Sequence, residues 1–148
     1  MAKQKIIIYW KNFELFFYIL YIPNNKLKIA ITNSAVARLC EILNDSDWRV
    51  RAAAASGLMS VTTTDEGKKE IVPVDGVTML MKLIHDEKEL VALNTLKIIA
   101  NVAVNPEARK ILVDDKRFLI KLDKMGKTGS EVIKKHAQIA DAAVRWMP

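Results

Sequence analysis

Apolar positions recur along this chain at helical spacing, and the helices they mark recur every 41 residues. With no insertion, a shift of 41 residues places Val50 on Val91 and on Val132, and Leu58 on Ile99. A period of this length is typical of stacked helical units. We therefore predict an all-α fold, an α-solenoid of armadillo/HEAT-type repeats. The same shift relates Val36 to Val77, Val61 to Val102, Glu66 to Glu107, 68–69 to 109–110, and 71–72 to 112–113.

The repeat pattern predicts about two and a half units after an N-terminal helix. We assign the whole chain, 1–148, to one solenoid with repeats at 34–74 and 75–115 and a C-terminal capping repeat at 116–148. Turn residues at 44–47 should cap the following helix, and Pro106 should open a short one. The predicted helices are 34–43, 48–62, 65–72, 77–84, 89–104, 106–113, 118–125 and 131–146, with a corner at 75–76 and a loop at 126–130.

The N-terminal stretch 6–22 is strongly apolar and needs its own interpretation. Lys11 and Glu14 interrupt it, so its longest uncharged run is far shorter than the roughly 20 residues that cross a membrane. A secretory signal is a second alternative, but no small-residue cleavage site follows closely. The repeat instead predicts that 5–22 is the last helix of a preceding unit, ended by Pro23, so that the chain begins in mid-repeat. Phe16, Tyr18 and Tyr21 would then offer an aromatic surface to a partner.

The net charge of +6 changes this picture only slightly. Basic and acidic residues are interspersed at helical spacing, which favours a solvated helix face over a nucleic-acid site. The alternative is a row of basic ridges for an acidic protein surface, because equivalent positions of stacked repeats align. Lys68, Lys69, Arg109 and Lys110 are the candidates. The single cysteine, Cys40, forms no internal disulfide and is predicted to be a buried helix residue, as suits a reducing compartment.

Together, a glycine at the corner, the apolar helix 76–84, an acidic turn and an alanine-rich third helix resemble the armadillo repeat over residues 34–148. A narrower resemblance is to the C-terminal part of the radial spoke head 14 family, armadillo-type proteins of motile cilia. This resemblance implies a structural role beside other radial spoke subunits, with an axonemal location after synthesis in the cytoplasm. The stretches that carry it are 21–26 (YIPNNK), 44–47 (NDSD), 52–59 (AAAASGLM), 62–68 (TTTDEGK), 106–110 (PEARK) and 146–148 (WMP).

Armadillo proteins that read basic peptides use a ladder of Trp and Asn on the third helix, and this ladder is missing from the chain. The Trp positions align with Ser56, Lys97 and Gln138, and the Asn positions align with Ser60, Asn101 and Ala142. A basic chain would also repel a basic peptide. We therefore interpret Asn101 as a surface residue or as one that hydrogen-bonds between helices.

No catalytic or metal-binding pattern is present in the sequence. His85 falls in a predicted turn and His136 on the last helix, neither with a ligand partner at suitable spacing. We predict no enzyme, cofactor, small-molecule substrate, membrane or nucleic-acid partner. Two functional classes stay open: a structural scaffold of the radial spoke, and a soluble adaptor that reversibly binds a peptide or an acidic protein.

Overall fold

The computed structural model describes residues 25–146, and every regular element within that range is a helix. This confirms the all-α prediction for the part of the chain described. Eight helices follow one another through short turns. They are α1 (Asn25–Ile42), α2 (Trp48–Val61), α3 (Asp65–Glu70), α4 (Gly76–Leu83), α5 (Glu89–Val102), α6 (Pro106–Asp114), α7 (Lys116–Thr128) and α8 (Glu131–Arg145).

The 41-residue spacing is seen directly in the helix starts. The long helices α2 and α5 begin at Trp48 and Glu89, and the short helices α3 and α6 begin at Asp65 and Pro106. In the last unit, α8 buries Ile133 and leaves the neighbouring Val132 38% exposed. Val132 therefore lacks the burial that Val50 and Val91 have at the same repeat position. Ala137 and Ala140 are buried 41 residues after the buried Leu96 and Ile99, so the register without insertion holds along α8.

Two helix boundaries differ from the sequence expectation by more than two residues. The first helix begins at Asn25 and not at Ser34, since the residues between them include no Pro or Gly to interrupt it. Helix α7 continues to Thr128, so the predicted loop at 126–130 shrinks to a short turn. Gly126 is buried in this helix, and a Cβ added there would lie 3.3 Å from Gln138 Cγ on α8. Glycine at this position lets the two helices approach, which is a packing role and not a turn role.

Side-chain caps open most of the helices, including α2 and α6, where the sequence indicated them. The carboxylate of Asp47 accepts a hydrogen bond from the backbone N–H of Arg49 at 3.0 Å and caps α2. Asn105 accepts from the N–H groups of Glu107 and Ala108 at the start of α6, with Pro106 in the first turn. Thr64, Asp115 and Ser130 cap α3, α7 and α8 in the same way.

The long helices form the centre of the stack: α2 packs on α5, and α5 packs on α8. Helices α1, α4 and α7 pack against their own long helix in each unit. Leu58 and Ile99, which occupy one repeat position, are both fully buried in this core, as the period requires. Cys40 is buried as predicted, and burial raises the pKa of its thiol to about 12. The core is therefore continuous from α1 to α8.

The corner between α3 and α4 depends on two adjacent residues with different roles. Asp75 takes the left-handed backbone conformation, with φ 55°, which an Asp tolerates better than most residues. Gly76 has an ordinary φ but no room for a side chain, since a Cβ would lie 2.5 Å from Ile71 Cγ1 and 2.9 Å from Cys40 Sγ. The glycine of the corner is thus required by close packing against Ile71 and Cys40 rather than by its own backbone conformation.

Within residues 25–146, no helix combines the length and the apolar character needed to cross a membrane.

Candidate protein-binding surface

The stacked long helices α2, α5 and α8, here called the spine, carry the positions where peptide-reading armadillo proteins are expected to hold their ladder. Asn101 on α5 donates through Nδ2 to the backbone oxygen of Met59 at 3.3 Å and to Thr62 Oγ1 at 3.4 Å. It therefore joins α5 to α2, which agrees with its interpretation as a residue bonding between helices. Gln138 on α8 donates to the backbone oxygen of Gly126 at 2.9 Å. Both amides are used to hold helices together.

The spine carries two lysines near His136, one on α5 and one on α8. Burial lowers the pKa of His136, and the nearby charges of Lys97 and Lys135 lower it further. The imidazole is therefore neutral at pH 7, while the two lysines remain to set the local potential. A basic peptide would meet these lysines unfavourably, and an acidic segment would not.

The four basic residues singled out in the sequence fall into two kinds. Lys68 is half-buried on α3, where its Nζ lies 3.2 Å from Asp65 Oδ1. Arg109 is also half-buried, and its guanidinium lies 5.2 Å from the ring centroid of Trp146. Lys69 and Lys110 are exposed. The structure thus leaves Lys69 and Lys110 as the members of this set best placed to reach a partner.

Trp146 follows α8 and is 58% exposed, although Arg109 stacks over it. Because the cation holds the large aromatic ring in place, the ring can contact a partner at a low entropic cost. Trp and Arg are also enriched at the hot spots of protein interfaces. The exposed Val104 belongs to the turn between α5 and α6. These are surface features that the apolar pattern of the sequence did not single out.

A further ion pair, missed by sequence reasoning, ties two repeats together. Arg51 on α2 donates to Asp86, with Nε to Oδ2 at 2.6 Å and Nη2 to Oδ1 at 3.0 Å. Its Nη1 also donates to the backbone oxygens of Asp45 and Ser46. The side chains are only 14% and 5% exposed, so this bidentate pair lies mostly out of solvent.

The pKa of Asp86 shows which effect dominates at this pair. Burial alone would raise the pKa of Asp86. Hydrogen bonds from Arg51 and from the backbone N–H of Lys88 lower it, and so do the charges of both residues, so that the pKa lies below its ordinary value. The carboxylate is therefore ionised at neutral pH. The local signal in the sequence is weak because Arg51 and Asp86 are 35 residues apart.

His85 lies in the turn between α4 and α5, as predicted, and is exposed. Burial lowers its pKa somewhat, and the nearby charges of Lys121 and Lys124 on α7 lower it further. Among residues 25–146, no group of His, Cys, Asp and Glu side chains is arranged to hold a metal ion. The predicted aromatic contacts Phe16, Tyr18 and Tyr21, and the helix 5–22 that carries them, lie outside the described residues.

Comparisons with known proteins support the repeat fold. The HEAT repeat family matches residues 35–64, which include the end of α1 and all of α2. No curated protein sequence matches the chain at a significant level.

Solved structures resemble most of the chain. An engineered protein is 23% identical with a TM-score of 0.70, covering 90% of this chain and 62% of its own. A designed armadillo repeat protein in complex with the peptide (KR)4 is 26% identical with a TM-score of 0.70, covering 82% and 52%. A second designed armadillo repeat protein is 20% identical with a TM-score of 0.65, covering 87% and 63%. The chain spans roughly half to three fifths of these proteins, and its fold is an α-solenoid of the armadillo/HEAT type.

Proposed function

We propose that this protein is a non-catalytic scaffold that binds other proteins. The observation that carries the proposal is the spine of three stacked long helices, because an array of this kind presents equivalent positions of successive repeats side by side. Repeat solenoids of this type typically serve as binding surfaces. The exposed Trp146 and the exposed cations Lys69 and Lys110 supply contacts of the kind found at protein interfaces.

Our more specific proposal is that the scaffold belongs to the radial spoke of motile cilia and flagella. It rests on the sequence resemblance of 44–47, 52–59 and 62–68 to the radial spoke head 14 family. These stretches fall in the turn before α2, in α2 itself, and at the start of α3. The partners would be neighbouring spoke subunits, and the location would be the axoneme after synthesis in the cytoplasm.

A second candidate is a soluble adaptor that binds a peptide or an acidic protein reversibly. The similar designed armadillo repeat protein in complex with (KR)4 favours it, since that protein holds a peptide. This chain carries Lys97 and Lys135 around the spine, so an acidic segment suits it better than a basic one.

Retention in the axoneme separates the two candidates. The full chain, tagged and expressed in a ciliated cell, should remain with the axonemes after the membrane and soluble proteins are removed with detergent. A subunit of a stable assembly buries a large interface and dissociates slowly, whereas a reversible adaptor is lost on dilution. Immunoblotting of the detergent-soluble and axonemal fractions measures the outcome, with the tag alone as control. Quantitative release of the chain into the soluble fraction would favour the adaptor.

Removing the two exposed cations Lys69 and Lys110 should weaken attachment without unfolding the chain. If they face an acidic partner, Lys69→Ala with Lys110→Ala should lower co-sedimentation with purified axonemes and make it less sensitive to salt. The melting temperature should barely change, because exposed charges contribute little to folding. Lys82→Ala with Lys127→Ala removes the same charge elsewhere and is the matched control. Equal co-sedimentation of the two double variants at low and high salt would show that Lys69 and Lys110 are only solvated.

A further inference from the structure

Helix α7 has one apolar face and one strongly basic face. Its buried side chains, Phe118, Leu119 and Leu122, pack into the core. The exposed residues of the helix include five cations and a single acid, Asp123, whose Oδ2 lies 2.7 Å from Lys127 Nζ. The remaining cations, Lys116, Arg117, Lys121 and Lys124, have no acidic partner on the helix within ion-pair distance. This is an excess of one charge sign on a single helix.

The spacing of these residues makes a continuous surface. Arg117, Lys121 and Lys124 stand at i, i+4 and i+7 and therefore share one side of the helix. Ile120 lies beside them, because Arg117 is three residues before it and Lys124 is four residues after it. The side chain of Ile120 is 69% exposed. We call Lys116, Arg117, Ile120, Lys121 and Lys124 the α7 basic face.

The preceding repeat adds a further group to one edge of this face. His85, in the turn between α4 and α5, lies near enough to Lys121 and Lys124 for their charges to lower its pKa. An anionic group that settled between these three side chains would relieve the repulsion between the lysines. The face is thus formed by two repeats and not by α7 alone.

We propose that the α7 basic face is a docking site for an acidic segment of a partner protein. Charge complementarity requires a partner rich in Asp or Glu. The exposed Ile120 among the cations favours a protein segment over a nucleic acid, because it offers an apolar contact, whereas single-stranded nucleic acid is bound on aromatic platforms. None of the exposed residues of α7 is aromatic. The proposal rests on the role of the chain as a protein-binding scaffold and is independent of the cilium.

A labelled peptide tests the proposal directly. Helix α7 is about 20 Å long, a length that about six residues of extended peptide can span. The probe is a fluorescein-labelled peptide of that length in which glutamates flank a leucine, titrated with the full chain at low salt. The triple variant Arg117→Gln, Lys121→Gln, Lys124→Gln should bind it about tenfold more weakly, as should be seen in fluorescence anisotropy. Arg38→Gln, Arg49→Gln, Lys82→Gln loses the same charge at exposed positions elsewhere and should bind like the wild type.

The two histidines of the chain provide a second measurement that needs no variant. His85 faces Lys121 and Lys124, whereas His136 faces Lys97 and Lys135. In NMR spectra of the wild-type chain, the imidazole signals of His85 should shift with added peptide while those of His136 stay in place. Equal weakening in both triple variants, shifts confined to His136, no binding, or tighter binding of a thymidine oligonucleotide of equal charge would each overturn the proposal. Failure here leaves axonemal retention untouched, so the scaffold proposal is judged separately.

Discussion

Leu58→Ala is expected to lower the free energy of unfolding by about 2–5 kcal/mol, the usual range for truncating a buried leucine in a packed core. Leu58 is fully buried on α2, in the layer that α5 covers. The chain offers few other contacts to replace it, since each unit of a solenoid packs only on its neighbours. Urea unfolding followed by circular dichroism measures the change. Ile99→Ala, at the same position of the next repeat, should show a cost in the same range.

Leu90→Ala is the matched control for this measurement. Leu90 lies on the long helix α5, equivalent to α2, but is 49% exposed, so the same truncation should cost far less. An unchanged unfolding midpoint for both Leu58→Ala and Ile99→Ala would contradict the 41-residue register. Equal losses for Leu58→Ala and Leu90→Ala would show that burial does not set the size of the effect, since alanine has a higher helix propensity than leucine.

The architecture could be predicted because it depends on local sequence patterns. The spacing of apolar residues predicted the helices. Cap residues such as Asp47 and Asn105 predicted where helices begin, since a capping side chain binds backbone N–H groups within three residues of itself. The 41-residue repeat then indicated how the helices stack. The repeat also predicted Leu58 and Ile99 at one core position, and both are buried in the structure.

What could not be predicted depends on contacts between distant residues. The repeat alone does not reveal that α8 exposes Val132 beside the buried Ile133, or that α7 approaches α8 closely at Gly126. Of the candidate surface, the sequence indicated four basic residues but could not show that Arg109 stacks on Trp146 while Lys110 is exposed. Whether a basic side chain is exposed or packed depends on the residues that the fold places next to it.

Asp86→Ala is expected to lower the free energy of unfolding by about 2–4 kcal/mol. The substitution leaves the mostly buried guanidinium of Arg51 without its carboxylate, and an uncompensated buried charge is costly. The hydrogen bonds from Arg51 to the backbone oxygens of Asp45 and Ser46 remain, which keeps the cost below that of a fully buried charge. Asp123→Ala, which breaks an exposed pair with Lys127, is the control and should change stability by less than about 1 kcal/mol.

The pH dependence of stability tests the same ion pair through the lowered pKa of Asp86. A carboxylate whose pKa is lower in the folded chain than in the unfolded chain stabilises the fold above its unfolded pKa, which is about 4. That contribution is lost as the pH falls through the folded pKa, because the folded carboxyl then binds its proton as well. The wild type should therefore exceed Asp86→Asn in unfolding free energy by the largest amount near neutral pH, and this difference should decrease below about pH 4. Arg51→Met combined with Asp86→Asn should recover part of the loss, since neither charge is left unpaired. A gap that stayed constant from neutral to acidic pH would mean that Asp86 stabilises the repeat junction by shape and hydrogen bonding, and not by its charge.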